Sequence, residues 1–273
     1  MTTFPFLSHA GFMQWPAARP DHPFAVAGIA WDGSTTNRPG ARFGPAAIRQ
    51  ASHMLCDGIH PGFDVSPTGQ AGDAGDLALP NTSLAAMREA LQAQALPLIQ
   101  RHHMAWLGGD HAVTLSLLRA YRQHCGEPLA VVHLDAHCDT WDSHFGEPSG
   151  HGTWVREAIE EGLVRPDGCI QLGIRSAAEA TARRYVTDRG GLQWDARGLR
   201  GLVSAQQLEP VTQAIRARLQ SLGAVPLYLS LDIDCLDPAY APGTGTPEPG
   251  GLSTAQVLTV LETLSDLPWV GMD

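Results

Sequence analysis

The sequence predicts one α/β domain built on a mostly parallel sheet with helices on both faces. Short apolar runs typical of buried strands alternate with segments of helical periodicity along almost the whole chain. The chain has 273 residues, of which 44% are hydrophobic and 17% are charged, so it can bury a sizeable core. No linker, internal repeat or low-complexity segment divides it. We therefore expect a single domain over residues 1–273.

The first elements are predicted from a change of composition near residue 30. The apolar run at 24–30 predicts a buried strand, and the Gly-, Asn- and Pro-rich residues 32–43 predict a loop. Residues 45–54 predict a helix, because a proline is tolerated in the first turn, where its missing N–H costs nothing. Residues 61–82 contain Pro, Gly and Asp throughout, which predicts irregular structure.

The middle of the chain predicts two strands, each preceded by a helix. Residues 84–100 carry apolar side chains at helical spacing, and Pro97 is expected to kink or end this helix. A strand is predicted at 103–107, a helix at 114–124 and a second strand at 129–134.

The second half continues the same alternation after a long loop. Apolar runs and helical spacing predict its elements in chain order: a helix at 153–162, a strand at 169–174, a helix near 208–222, a strand at 226–231, a helix at 253–264 and the start of a strand at 269–272. In open parallel sheets, ligands bind beyond the carboxyl ends of the strands, so the residues just after each strand are the candidates for a site.

The charge pattern excludes several classes of function. There are 28 acidic residues against 18 basic ones, a net charge of −10, which argues against a nucleic-acid-binding or anionic-membrane surface. All 18 basic residues are arginine. The absence of lysine excludes Schiff-base and pyridoxal-phosphate enzymes and P-loop NTPases, which need a lysine amine. The 12 histidines leave metal-assisted and acid–base chemistry open.

Cysteine usage and the absence of targeting signals predict a cytoplasmic protein. The five cysteines are scattered and form no Cys-x-x-Cys pair, so reduced thiols are expected. The N-terminus has no basic region followed by an apolar one, as a signal peptide would, and no apolar run approaches about 18–20 residues.

Three of the predicted strands are followed by acidic and histidine residues. The first is followed by Gly-Gly-Asp-His at 108–111, the second by Asp-Ala-His-Cys-Asp at 135–139 and the third by Asp-Ile-Asp at 232–234. Alternate residues of an extended chain share a face, so the side chains of Asp135, His137 and Asp139 are expected to point together, as are those of Asp232 and Asp234. Cys138 and Cys235 fall on the opposite face and are left out of the site.

This arrangement predicts a binuclear metal site. It brings four carboxylates and up to two imidazoles together, and the carboxylates could not all stay ionised without nearby cations. Two divalent ions would cancel the charge of −4. Oxygen ligands with a minority of imidazole suit Mn²⁺ better than zinc. Two bridged metals about 3.5–4 Å apart acidify a bound water, so metal-assisted hydrolysis is expected.

The same three segments resemble the metal-binding motifs of the ureohydrolases, the arginase and agmatinase family, and are most similar to those of agmatinases. The similarity covers nearly the whole chain and includes residues 38–45, 151–153, 173–176 and 242–247. It implies a three-layer α/β/α sandwich on a mostly parallel sheet of about eight strands. It also implies two Mn²⁺ per chain, with other divalent ions such as Ni²⁺ left open. The positions that match the family's metal ligands are His111, Asp135, His137, Asp139, Asp232 and Asp234.

The resemblance further implies hydrolysis of a guanidinium group to urea and an amine by a metal-activated water. In that scheme Asp139 binds metal and orients the water, and His151 passes a proton to the leaving amine. Without the resemblance, His151 would be interpreted as a structural loop histidine. Family members are commonly trimers or hexamers, so a homo-oligomer is expected.

The loop before His151 points to agmatine as the substrate. Arginases carry an Asn- and Ser-containing pattern there that this chain lacks. Its loop instead offers Trp141, Asp142 and Glu147, which suit a cationic amine through charge pairing and cation–π contact. An ordinary acidic surface loop is the plainer interpretation.

Other substrates and other functions remain open at this point. Guanidinobutyrate or another guanidino acid is the main rival, because its carboxylate could meet Arg38 or Arg42. A single-zinc deacetylase of the same superfold is disfavoured by the excess of carboxylates. A non-catalytic metal-binding relative is the third alternative. Measuring the bound metal separates these classes: about two Mn²⁺, one zinc, or none.

The last residues raise a separate expectation. Residues 268–273 resemble the start of a late family strand that leads to a guanidinium-binding glutamate and a closing helix. Neither follows in this sequence. We therefore expect the natural protein to extend about 30–45 residues further, judged from the family's length.

Overall fold

A computed structural model of the protein describes residues 11–273; the N-terminal segment used above to argue against a signal peptide lies outside these residues. The strands are β1 Phe24–Gly28, β2 Ala71–Asp76, β3 His103–Leu107, β4 Leu129–Leu134, β5 Val164–Ile174, β6 Leu192–Asp195, β7 Leu227–Leu231 and β8 Trp269–Met272. They form one eight-stranded sheet in the order β2-β1-β3-β8-β7-β4-β5-β6. Each neighbouring pair is parallel.

Seven α-helices are present in the described residues, and three of them begin after a capping serine. The helices are α1 Gly44–Ser52, α2 Leu84–Ile99, α3 Val113–Cys125, α4 Trp154–Glu160, α5 Ala180–Arg183, α6 Ala205–Ser221 and α7 Thr254–Thr263. Ser204 and Ser253 form capping boxes with Gln207 and Gln256, satisfying N–H groups that the first turn leaves free. Across residues 11–273, every helix is too short or too polar to cross a bilayer.

Two apolar cores lie on opposite faces of the sheet and make the three layers that were predicted. Leu129 and Val131 of β4 pack into a core with side chains of α2, α3 and α4. Val132 and Leu134 of the same strand pack into a second core with α6 and α7. This alternation is the period of two expected for a strand buried on both faces.

The sequence analysis was wrong about two edge strands. Residues 61–82 were expected to be irregular, but β2 lies within them; its sequence Ala-Gly-Asp-Ala-Gly-Asp has no β-branched residue and is fixed by pairing with β1. The four-residue β6 was not predicted, and β5 begins at Val164 rather than at residue 169. Helix α2 continues past Pro97 to Ile99.

The topology places three strand ends close together along one edge of the sheet. Because the sheet is parallel, the carboxyl ends of β3, β4 and β7 lie along the same edge. Strand β8 lies between β3 and β7, and β7 neighbours β4. The segments that follow these strands are therefore brought together from sequence positions more than 120 residues apart.

Candidate metal centre

The first segment of the site turns sharply after β3. Gly109 has φ +44°, and a Cβ there would collide with the carbonyl oxygens of Ile29 and Trp31, so only glycine fits. The next residue, Asp110, donates its backbone N–H to Trp31 at 2.8 Å. The segment after β3 therefore runs close to the end of β1, and this contact fixes the position of His111.

The second segment is bent, so strand alternation is not what makes its side chains converge. Residues 135–139 follow β4 as a loop, and Asp139 has φ +52°, a left-handed conformation that Asp tolerates better than most residues. An Asp135 oxygen accepts the His137 N–H at 2.6 Å, and Trp154 Nε1 donates to Asp139 Oδ2 at 2.7 Å. Local hydrogen bonds therefore aim these carboxylates.

The third segment is also not extended. Asp232 precedes a 3-10 turn at Ile233–Cys235 and accepts the N–H of Asp234 at 2.8 Å. Asp234 Oδ1 in turn accepts the N–H of Ala136 at 3.0 Å, which ties the second and third segments together. Cys235 is fully buried in the apolar core behind the turn.

One half of the centre is built around His111 Nδ1. This buried nitrogen lies 2.9 Å from Asp135 Oδ2, 3.2 Å from Asp232 Oδ2 and 3.3 Å from Asp139 Oδ2. Among the residues described, no atom forms a hydrogen bond of acceptable geometry with it. A buried ring nitrogen facing three carboxylate oxygens without a hydrogen bond fits the ligand set of a divalent cation.

The other half is built around His137 Nδ1. It lies 3.0 Å from Asp234 Oδ2 and 3.3 Å from Asp135 Oδ1. Asp135 is therefore common to both halves, with one oxygen facing each histidine. Two groups of clustered ligand atoms could each hold an ion: His111, His133, Asp135 and Asp139, and Asp135, His137 and Asp234.

The electrostatics of the cluster show an excess of negative charge. Burial lowers the pKa of His111, but its contacts with three carboxylates raise it well above the usual value. Burial also lowers the pKa of His137, but hydrogen bonds and charge interactions with Asp135 and Asp234 outweigh it and raise this pKa to about 12. Burial and the charges of Asp232 and Asp135 raise the pKa of Asp234 well above its ordinary range. A cation would relieve both effects, because it can replace the protons that the cluster otherwise holds.

His133 belongs to the site, although the sequence analysis named it neither as a ligand nor as a proton donor. It is fully buried, and its Nε2 lies 2.7 Å from Asp135 Oδ2. Gln171 Nε2 donates to the Cys138 carbonyl at 2.8 Å and lies 3.1 Å from His133 Nδ1. That nitrogen therefore accepts, and Nε2 carries the proton that it donates to Asp135. His133 orients the shared carboxylate, a role that no spacing in the sequence signals.

His151 lies at the rim, outside both groups of candidate ligands. Its Nε2 lies 3.0 Å from Thr36 Oγ1, and its ring centre is 5.6 Å from that of His144. The segment that carries His151 is anchored to helix α2, because Thr153 Oγ1 donates to Glu157 at 2.6 Å and Glu157 pairs with Arg88 of α2. A histidine held at the rim can exchange a proton with a ligand entering the site.

The predicted substrate loop lies on the surface beside His151. Trp141 stacks on His144, with ring centres 5.3 Å apart and planes 16° apart, and packs on a small buried cluster. Asp142 and Glu147 are exposed, and Glu147 is joined to His144 by two backbone hydrogen bonds. The structure records no contact between these two acids and the ligand groups.

A further acid near the centre was missed. Glu248 is partly buried, accepts the hydroxyl of Ser176 at 2.9 Å and lies 3.8 Å from His137 Nε2. It adjoins the segment 242–247, but no pattern in the sequence distinguishes it from a surface residue.

Comparison with known proteins agrees with this geometry. A sequence model of the arginase family matches residues 22–273. An agmatinase from Chromobacterium violaceum is 39% identical over 254 residues, covering 91% of this chain and 74% of that protein.

Two solved structures share the fold over almost the whole chain. Proclavaminate amidino hydrolase from Streptomyces clavuligerus superposes with a TM-score of 0.88 at 35% identity, covering 99% of this chain and 89% of that one. A hypothetical agmatinase from Burkholderia thailandensis gives a TM-score of 0.86 at 35% identity, covering 98% and 82%. The resemblance inferred from the motifs is confirmed, and the chain belongs to the arginase family.

Proposed function

We propose that the chain is a binuclear-metal amidinohydrolase that converts agmatine and water to putrescine and urea. The observation that carries the proposal is the shared carboxylate: Asp135 presents one oxygen to His111 and the other to His137. A single-metal site has no use for such a bridge, so the geometry favours the two-metal hydrolase over the deacetylase alternative. Within residues 11–273, the continuous sheet supports the proposal of one ureohydrolase domain.

The proposed ligands are the six residues that the motifs indicated. Four carboxylates and two imidazoles suit Mn²⁺, and Ni²⁺ would accept the same donors. They are His111, Asp135, His137, Asp139, Asp232 and Asp234. When bound, two ions would supply Lewis acidity and a nucleophilic water near neutral pH.

Two side chains are assigned to the reaction itself. Asp139, held on one oxygen by Trp154, would orient the attacking water toward the guanidinium carbon. As the bond from that carbon to the substrate's alkyl nitrogen breaks, the nitrogen needs a proton to leave as an amine. His151 is the group proposed to deliver it, and its contact with Thr36 supports that role by fixing the ring at the rim.

Recognition of the substrate's other end is proposed for the loop beside His151. Trp141 offers an aromatic face, and Asp142 and Glu147 offer negative charge to the amine of agmatine. One observation favours the rival class of guanidino acids. Arg42 is paired with Asp32, whereas Arg38 has no ion-pair partner among residues 11–273 and its backbone bonds to Gly245. Arg38 could therefore meet a carboxylate.

A substrate panel tests the proposal. Urea release by the Mn²⁺-loaded protein should be fastest with agmatine among agmatine, arginine, guanidinobutyrate, guanidinopropionate and guanidine. Preference for guanidinobutyrate, lost in Arg38→Met, would replace agmatine with a guanidino acid. No urea from any compound would leave the non-catalytic metal-binding alternative.

Two matched variants test the loop. Asp142→Asn and Glu147→Gln should raise KM for agmatine and leave KM for guanidinobutyrate unchanged or lower. Both side chains are exposed, so effects of about fivefold or less are expected. An unchanged preference in both variants would make the loop an ordinary surface.

The remaining parts of the proposal concern the protein's setting. Cys56, Cys125, Cys138, Cys169 and Cys235 are all free, which supports a reducing compartment such as the cytoplasm. Exposed apolar side chains on residues 54–65 support a homo-oligomer, with a second copy covering them. The acidic charge supports the absence of nucleic-acid or membrane partners. Light scattering tests the oligomer; a monomer would contradict it.

A further inference from the structure

Asp273 is connected to the metal centre through one intervening serine, although it belongs to none of the metal-binding motifs. It follows β8, the strand that lies between β3 and β7. Its Oδ1 accepts the hydroxyl of Ser230 at 2.6 Å. Its Oδ2 accepts the hydroxyls of Thr114 at 2.7 Å and Tyr228 at 3.0 Å. All three donors are fully buried.

The connection continues to a candidate metal ligand. Ser230 Oγ lies 2.8 Å from His111 Nε2, and the opposite ring nitrogen of His111 faces the three carboxylates of the centre. A chain of two hydrogen bonds therefore joins Asp273 to the outer side of His111. The residues concerned are 43 and 119 positions apart along the sequence.

The available protons determine which group donates and which accepts in these two hydrogen bonds. The Asp273 carboxylate can only accept, so the single hydroxyl proton of Ser230 goes to it. Ser230 Oγ can then only accept from His111, which requires the proton of the neutral ring to be on Nε2. Nδ1 keeps its lone pair and faces the carboxylates. A serine without the acid behind it could point its proton either way.

We propose that Asp273 and Ser230 are positioning residues that hold His111 in the orientation and tautomer needed to bind the metal. The proposal rests on the binuclear function proposed above. Outer partners of this kind typically contribute 10–100-fold to metal affinity, because they remove the alternative orientations of the ligand. Asp273 and Ser230 are not among the proposed metal ligands and lie on the outer side of His111, so their effect is expected on metal binding before catalysis.

Manganese titration of metal-stripped protein by calorimetry tests this proposal. Ser230→Ala and Asp273→Asn should each weaken one of the two manganese equivalents by about 10–100-fold and leave the other near its wild-type affinity. At saturating Mn²⁺, KM for the substrate should stay unchanged. Ser230→Thr keeps the hydroxyl and should recover much of the affinity.

Tyr228→Phe is the matched control. It removes a buried hydrogen bond to the same carboxylate but leaves the path to His111 intact, so manganese affinity should change by less than about threefold. Equal weakening in this control would show that only general packing was lost, and would overturn the proposal. Should Ser230→Ala fail to fold, Asp273→Asn decides the matter, because it keeps the side chain's shape and removes its charge.

The manganese titration tests the positioning role separately from the proposed hydrolase activity. Unchanged manganese affinity in a folded Asp273→Asn, with normal urea release by the wild type, would overturn the positioning role alone. A wild type that binds two manganese ions but releases no urea from any guanidino compound would overturn the function, while the titration would still decide the positioning role.

Discussion

Two clusters of aspartates lie toward the carboxyl ends of strands in this molecule, and they are neutralised in different ways. On β2, Asp73 and Asp76 flank the guanidinium of Arg49, which contacts Asp73 at 2.7 Å and Asp76 at 2.5 Å. In the segments that follow β4 and β7, four aspartates surround two histidines. The first cluster carries its own permanent cation, whereas the second contains only groups that can lose their charge.

The pKa values of buried aspartates differ between the two clusters. Burial would raise the pKa of Asp73, but the hydrogen bonds from Arg49 and two backbone N–H groups lower it below the ordinary value. At Asp234, burial and the charges of Asp232 and Asp135 all raise the pKa. At the proposed metal site the guanidinium of Arg175 bonds to the Asp234 carbonyl and, among the described residues, forms no ion pair with the carboxylates. That distinction separates the proposed site from a structural ion cluster.

The largest expected effect is the loss of the shared ligand. Asp135→Asn removes a charge that both halves of the centre use, so urea release should fall by about 10³-fold or more, and bound manganese should fall well below two per chain. Asp76→Asn is the matched control, because it neutralises an acid of the other cluster and should leave both quantities unchanged. Full activity with full metal content in Asp135→Asn would refute the proposal that Asp135 is a ligand shared by both halves of the centre.

The next effect separates a proton donor from a ligand. His151→Ala should keep two manganese ions per chain but lower kcat by about 10²–10⁴-fold, as expected for removal of a general acid. Metal analysis and urea kinetics on the same sample distinguish the two roles. Loss of manganese in this variant would make His151 a ligand, contrary to its position at the rim.

The structural cluster should respond in stability rather than in metal binding. Arg49→Met leaves the buried Asp73 without its cation, so the free energy of unfolding should fall by about 3–5 kcal/mol in urea denaturation. Arg156→Met breaks an exposed pair with Glu160 and should change it little. Lower manganese affinity in a folded Arg49→Met protein would contradict the separation of the two clusters.

A smaller effect is expected where a neutral group supports the proton donor. Thr36→Val keeps the shape of the side chain and removes the hydroxyl that contacts His151, which should lower kcat by about 2–13-fold, the equivalent of one ordinary hydrogen bond. Thr35→Val, next to it, loses a hydroxyl directed at Asp110 and serves as control. Identical kinetics for Thr36→Val and the wild type would remove Thr36 from the account.

The smallest effect is a difference in pH dependence. The pKa of Asp73 is lowered in the folded chain, so its ionised form stabilises the fold above the ordinary Asp value of 3.8, and this contribution is lost as the pH falls through the folded pKa. The stability difference between the wild type and Asp73→Asn should therefore be constant above about pH 5 and shrink below about pH 4. A difference that grows on acidification would contradict the ion pair with Arg49.

The sequence was most informative where chemistry is concentrated in short segments. The strands at 103–107, 129–134 and 226–231 were predicted within one residue, and the acids and histidines that follow them do converge. The reason given for the convergence was wrong. Alternation along an extended strand does not operate in residues 135–139 or 232–234, where a left-handed Asp139 and a 3-10 turn aim the side chains.

What the sequence could not predict are contacts that depend on strand order. Strand β8 lies between β3 and β7, and only this order brings Asp273 against Ser230 and through it to His111. His133 is hydrogen-bonded to Gln171 of the neighbouring strand for the same reason. Such partners leave no periodicity or spacing in one sequence, because they are set by how distant strands are paired.

The most direct test of the central claim is the number of metal ions that the site holds. Metal-stripped wild-type protein, incubated with Mn²⁺ and freed of excess by dialysis, should retain about two manganese ions per chain by elemental analysis, and Asp135→Asn should retain far fewer. Retention of two ions agrees with a carboxylate cluster that needs outside cations. Retention of one zinc ion in competition, or of no metal, would contradict the account.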